Sequence, residues 1–240
     1  MSDPSEGRNT VRPRAVVSWS SGKDCAYALH EVRRTGKLEV VGLLTTITES
    51  YARVSMHGVR ESVLEAQARA AGLPLYRVPI PSPCPNDVYE RAMGATVRRL
   101  AADGVGQIVF GDLFLEDVRA YREEKLRGSG IEPVFPLWGR PTRALAEEMI
   151  AAGLRARIVA LDPRRLPEAF AGREFDRELL AHLPADVDPC GERGEFHTCV
   201  TAGPMFDAPV PVVPGEVVRR DGFVFADLEL DGVTPASRGR

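Results

Sequence analysis

The sequence predicts an α/β fold, a parallel sheet covered by helices on both faces and followed by a smaller α+β region. Short apolar runs at residues 14–19, 39–46, 75–80 and 107–113 alternate with amphipathic stretches of helical period. Those runs are apolar on both sides, as strands buried on both faces must be. After residue 162 the rhythm changes to a short helix, a Gly/Pro/Cys-rich loop and closely spaced strands joined by Arg220-Asp221-Gly222.

Residues 1–13 are polar and Pro-containing and read as a flexible tail, as do 231–240. The first domain, 14–154, opens with the strand RAVVSW and a helix over 24–35. EVVGLLTT is the second strand, 58–71 a helix ended near Gly72 and Pro74, and LYRVPI the third strand. PIPSPCPN then breaks the pattern, and Asp87 with Glu90 reads as a capping box for a helix to about 103. QIVFGDL is strand four, 116–127 a charged helix, EPVFPL strand five and 141–152 a further helix. The second region, 155–230, holds RARIVALD, a short helix near 174–183 and the antiparallel strands.

The formal net charge is -3 over 240 residues, and no window collects five or six like charges. A sequence-independent grip on nucleic acid is therefore excluded, and a small or locally bound partner is expected. The N-terminus lacks the apolar core of a signal peptide, and no run of about 18 apolar residues occurs, so a cytoplasmic protein without membrane contact is expected. Cys25, Cys84, Cys190 and Cys199 form no CxxC pair, which argues against a disulfide framework and a zinc knuckle. The antiparallel strands leave a homo-oligomer open.

The stretch AVVSWSSGKDC (15–25) has the glycine and lysine of a phosphate loop, but Val17 and Asp24 stand where a Walker A loop needs Gly and Ser/Thr. A buried strand that ends in Ser-Ser-Gly and runs into a helix presents backbone N–H groups and the positive end of the helix dipole at one point. That point attracts an anion, unless the segment is a plain strand-to-helix turn. The hydroxyls of Ser18, Ser20 and Ser21 add donors, Lys23 can neutralise phosphate charge, and Asp24 is either a helix cap or a magnesium ligand.

Gly111 and Asp112 end the fourth strand. A carboxylate beside a triphosphate is repelled unless magnesium bridges them, so Asp112 is a metal ligand, a substrate-positioning group or merely part of a turn. DPCGERGEFHTC gathers Asp188, Glu192, Glu195, His197 and two cysteines in twelve positions. Substrate capture fits it better than zinc: the carboxylates can orient an amine or ammonia and His197 can move a proton, while a solvated acidic turn is the bland alternative. His57 contacts phosphate or substrate, or merely caps a helix. Cys84 is read as packing or substrate contact, and Trp138 as structural; His30 and His182 have no assigned role.

SSGKDC resembles the SGGxDS loop of the N-type ATP pyrophosphatases, with Ser21 in place of the second glycine and Cys25 in place of the final serine. SMHG (55–58), FGDLFLEDVRAYRE (110–123), PLWG (136–139) and CGERGEFHT (190–198) resemble, in order, motifs of one branch, the diphthine:ammonia ligase-like ATP-binding proteins. The resemblance covers about residues 14–206 and implies a HUP-like nucleotide-binding domain. It implies that the loop holds the terminal phosphates of ATP, with Ser18, Ser20, Ser21, Gly22, Lys23, Asp24, Cys25, His57 and Gly111 about the nucleotide. It further implies the base at Thr45 and Thr46, Mg2+ at Asp24 and Asp112, and Glu192, Glu195 and His197 at the acceptor. The α-phosphorus is then open to a substrate oxygen, and pyrophosphate leaves. The expected activity is an AMP-forming ligase that adenylates a carboxylate and passes the acyl group to ammonia or an amine. A non-catalytic ATP binder or sensor, and an ATP-dependent RNA thiolation enzyme, are the alternatives, and the carboxylate is not identified.

Overall fold

Alternation along the first strand decides how the layers form. In β1 (Arg14–Ser18), Ala15 and Val17 enter one apolar core and Val16 another, so both faces must be covered. The computed structural model describes residues 11–48, 53–54 and 58–232. Around β1 it sets β2 (Glu39–Thr48), β4 (Leu75–Ile80), β5 (Gln107–Val109) and β6 (Glu132–Val134) in the order β4-β2-β1-β5-β6, all parallel. The two-residue β3 (Arg53–Val54) pairs antiparallel with Ile47 and Thr48, on the β2 edge that β1 vacates after Leu44.

Helices α1 (Lys23–Thr35), α2 (Glu61–Ala70) and α5 (Thr142–Ala151) join the core that holds Val17, Leu43 and Val109. Helices α3 (Asn86–Ala102) and α4 (Glu116–Leu126) cover the other face through Val97, Leu100 and Leu126. Fully buried side chains such as Leu43 and Leu100 each contribute roughly 1.5–3 kcal/mol. The chain builds outward from β1 to β2 and β4, then returns to β5 and β6 on the other side. Strand order therefore reverses between β1 and β5, which opens a crevice at their carboxyl ends.

The second sheet is antiparallel, in the order β8 (Phe196–Ala202), β7 (Arg155–Leu161), β10 (Phe223–Leu230), β9 (Val212–Arg220). Asp221 and Gly222 both have positive φ, 52° and 82°, as the two-residue turn between β9 and β10 requires. One apolar cluster runs through Met149, Leu154, Ala156 and Ile158, so the core is continuous across the expected boundary at 154/155. Asp227 on β10 receives Arg53 at 2.9 Å and Arg60 at 2.6 Å, which ties this sheet to the β3–α2 segment.

Three expectations shift. The helix expected over 58–71 begins at Glu61, and the runs at 107–113 and 132–137 pair only as far as Val109 and Val134. The capping box at Asp87 does not form: Pro85 caps α3, Asp87 lies inside the first turn and receives Arg91 at 2.6 Å, and Glu90 receives the Asn86 amide at 2.8 Å. A side-chain cap occurs instead on α6 (Arg177–His182), where Asp176 accepts the Leu179 N–H at 2.7 Å.

Candidate active site

The chain leaves β1 at Ser18 and enters α1 at Lys23, with Gly22 as an extended N-cap that offers no side chain. Between them Ser21 adopts φ 72°, the left-handed region that favours glycine, at the position where the resembling loop carries its second glycine. Tertiary contacts hold it there. The Ser21 carbonyl accepts the Val200 N–H at 2.9 Å and the Gln67 amide at 3.1 Å. Gln67, fully buried, also donates to the Val200 carbonyl at 2.7 Å and accepts the Trp19 indole N–H at 3.0 Å. Thr198 Oγ1 takes the Lys23 N–H at 3.1 Å. The second sheet thus forms the back wall of the loop.

On the opposite side, Gly111 lies so near the start of α1 that a β-carbon there would meet the carbonyl carbon of Asp24 and the nitrogen of Cys25 at 2.7 Å. That contact is the reason for a glycine at the end of β5. Cys25 turns inward, its thiol donating to the Gly22 carbonyl at 3.1 Å. Burial pushes the thiols of Cys25 and Cys190 up and that of Cys199 to about 12, which removes them as nucleophiles at neutral pH.

Ser18, Ser20, Thr45 and Thr46 line a single cavity of about 590 Å³ beside the loop, walled by α3 and α4. Thr45 is buried, and its Oγ1 has no hydrogen-bond partner. Cys84, Tyr89, Tyr121, Arg122 and Lys125 complete the walls, with Leu44, Val97 and Ile108 beneath. Trp138 is not among these residues; Arg119 stacks over its ring at 4.7 Å. His57 lies outside the described residues.

The charged residues expected at the site occupy different depths. Lys23 was expected to meet phosphate, but it is 2% exposed and its ammonium is bound to Asp24 at 2.8 Å and to the Cys190 carbonyl, with Phe175 and Phe196 each 5.5 Å away. Burial opposes that charge, yet Asp24 and the neighbouring acids hold its pKa above the ordinary lysine value. Asp24 Oδ1 is buried without a partner. Asp112 spends both oxygens on Arg122, at 2.7 and 3.0 Å. Glu192 accepts the Leu113 N–H at 2.7 Å, and burial, with Asp24 and Asp112 adding, pushes its carboxyl up to about 7.

Glu195 was expected to meet substrate. It is instead fully buried beneath the loop, where Oε1 accepts the Asp188 N–H at 3.0 Å, because Gly191 and Gly194, both at positive φ, fold the preceding segment back on itself. Asp188 Oδ1 accepts the Cys190 N–H at 2.8 Å and its Oδ2 the Thr142 hydroxyl at 2.7 Å, which fixes the same turn. His197 is half-buried on β8 opposite Ala160. Among the described residues no group of three or more His, Cys, Asp or Glu could hold a metal ion.

Sequence reasoning missed Gln67, Thr198, Arg122 and Lys125. Gln67 carries no local signal, and Thr198 closes the CGERGEFHT motif without having been singled out. Arg122 and Lys125 stand three apart on a helix that reads as a solvated charged face, on the helix that follows the Gly111-Asp112 strand end, and Arg122 alone lies within the FGDLFLEDVRAYRE motif.

The model of the diphthamide synthase N-terminal domain matches residues 13–133, and that of the diphthamide synthase C-terminal domain matches 141–227. Among characterised proteins the chain is 27% identical to the diphthine–ammonia ligases of Bos taurus and Homo sapiens, over 90% of this chain and 88% of each of theirs. It is 27% identical to that of Danio rerio over 71% of this chain and 72% of that protein. No helix among the described residues is long and apolar enough to cross a membrane.

Proposed function

The chain belongs to the diphthamide synthase family, and on that premise we propose that it is an ATP-dependent ligase that forms an amide, AMP and pyrophosphate. One observation carries the reading: a cavity of nucleoside size opens at the point where β1 turns into the N-terminus of α1. A base and ribose in that cavity, near Thr45 and Thr46, direct the triphosphate to Ser20 and the first turn of α1. The dipole and N–H groups there favour negative charge.

In this reading the outer phosphates rest on the loop. A substrate carboxylate oxygen attacks the α-phosphorus, the bond to the bridging oxygen breaks and pyrophosphate leaves with its electron pair. Ammonia then attacks the acyl carbon, AMP departs and one proton must be removed from nitrogen. In this reading Glu192, held against the Leu113 N–H with its carboxyl pushed up to about 7, takes that proton. His197 serves the acceptor side, and Glu195 holds the loop that carries Glu192. Lys23 contributes by locking that loop, through Cys190, to the start of α1.

Magnesium, when bound, neutralises triphosphate charge. The unpartnered Asp24 Oδ1 fits as one ligand, and Asp112 fits as a second only after Arg122 releases it. The similar proteins are named for diphthine; for this chain the proposed substrate is a carboxylate of unspecified identity. The test is incubation of the purified protein with ATP, magnesium, ammonium and a panel of carboxylates. Ammonium-dependent release of AMP and pyrophosphate is expected, and release of ADP in their place would refute the reading.

A further inference from the structure

Because the Lys23 ammonium is committed to Asp24 and Cys190, the loop itself brings no cation to the cavity. Among the described residues, the cations that line it are Arg122 and Lys125 on α4. Arg122 touches two environments at once. Its side chain is 29% exposed and lines the cavity wall, and its guanidinium stacks at 4.4 Å over Phe110 at the end of β5 and forks onto both oxygens of Asp112. Asp112 in turn lies near enough to Asp24 and Glu192 for its charge to act on both carboxyls. Arg122 therefore stands at the junction of the cavity with the loop.

That junction is where the innermost phosphate of a nucleotide must lie if its base is in the cavity and its outer phosphates are on the loop. We propose that Arg122 binds the α-phosphate, exchanging the carboxylate of Asp112 for the phosphate oxygens and so releasing Asp112 beside Asp24. The inference rests on the ATP-site reading above. A planar two-pronged donor that fits a carboxylate also fits a phosphate, so the exchange conserves geometry and hydrogen-bond count. Asp112 holds the guanidinium extended and desolvated on one side, which limits the ordering that nucleotide binding must complete. Lys125 is a point charge one helical turn farther along α4, bound to Glu90 at 2.9 Å, and lacks both the fork and the contact with Asp112.

Calorimetric titration with AMP and with adenosine, without magnesium, separates the phosphate contribution from that of the nucleoside. Arg122→Gln is expected to weaken AMP binding roughly 10- to 100-fold, the range of a charge-assisted hydrogen-bonded pair, and to leave adenosine binding unchanged. Asp112→Asn, which frees the guanidinium, is expected to strengthen AMP binding several-fold. Equal loss of AMP and adenosine in Arg122→Gln would reduce Arg122 to a wall residue and overturn the proposal. So would unchanged AMP binding, or an AMP-specific loss in Lys125→Gln instead. A wild-type protein that binds neither ligand overturns the ATP-site reading together with this one, whereas wild-type binding with unaffected variants overturns this one alone.

Discussion

The side-chain amide of Gln67 on α2 donates to the carbonyl oxygen of Ser21 at 3.1 Å, and so holds the turn between β1 and α1 from behind. The same side chain serves Trp19 and Val200. Gln67→Leu keeps the volume and removes all four bonds, that to the Cys199 thiol at 3.5 Å included, leaving the Trp19 indole N–H buried without its partner. Ser21 keeps only its bond from the Val200 N–H. A loss of about 2–4 kcal/mol is expected in urea denaturation, accompanied by weaker ATP binding.

Gly111 sets the distance between the end of β5 and the start of α1. Gly111→Ala places a β-carbon 2.7 Å from backbone atoms of Asp24 and Cys25, and neither is a flexible chain end that can move aside. A destabilisation of about 1–3 kcal/mol is expected from overpacking. Pyrophosphate release should be lost even at temperatures where circular dichroism shows the variant folded, because the displaced backbone is the one that meets phosphate in the proposed site.

Glu192 makes a prediction about pH. Burial raises its carboxyl to about 7 from the ordinary 4.5, so as a base it works only above that value. kcat should rise with an apparent pKa near 7, and Glu192→Gln should abolish that limb and cost on the order of 10²-fold. Stability follows with the opposite sense. The folded state binds this proton more tightly than the unfolded chain, so the wild type loses stability as pH rises from about 4.5 to 7 and no further above it. Measured against wild type, Glu192→Gln should gain stability across that window and then level off.

Ser21 sits at φ 72° with a buried hydroxyl that finds only the Cys199 thiol nearby. Ser21→Gly removes the steric cost of the left-handed conformation, about 1–2 kcal/mol, against a smaller entropic loss in the unfolded chain. A net gain of roughly 1 kcal/mol is expected, read as a raised denaturation midpoint with unchanged cooperativity.

Much of this molecule is legible in its chain. The unbroken apolar run Ala15-Val16-Val17 encodes a strand covered on both faces, and Asp221-Gly222 encodes a tight hairpin. Ser20-Ser21-Gly22 encodes the turn from β1 into α1, since periodicity and turn chemistry depend only on neighbours along the chain. The destinations of the charges are another matter. Lys23 and Glu195 read as reactive groups and are buried, whereas Arg122 reads as a solvated helix residue and lines the cavity. A charged side chain takes its role from the partners that sheet packing brings within hydrogen-bond reach. For Lys23 the partner at Cys190 lies 167 positions away and for Ser21 the one at Gln67 lies 46 away, distances that only the assembled fold closes.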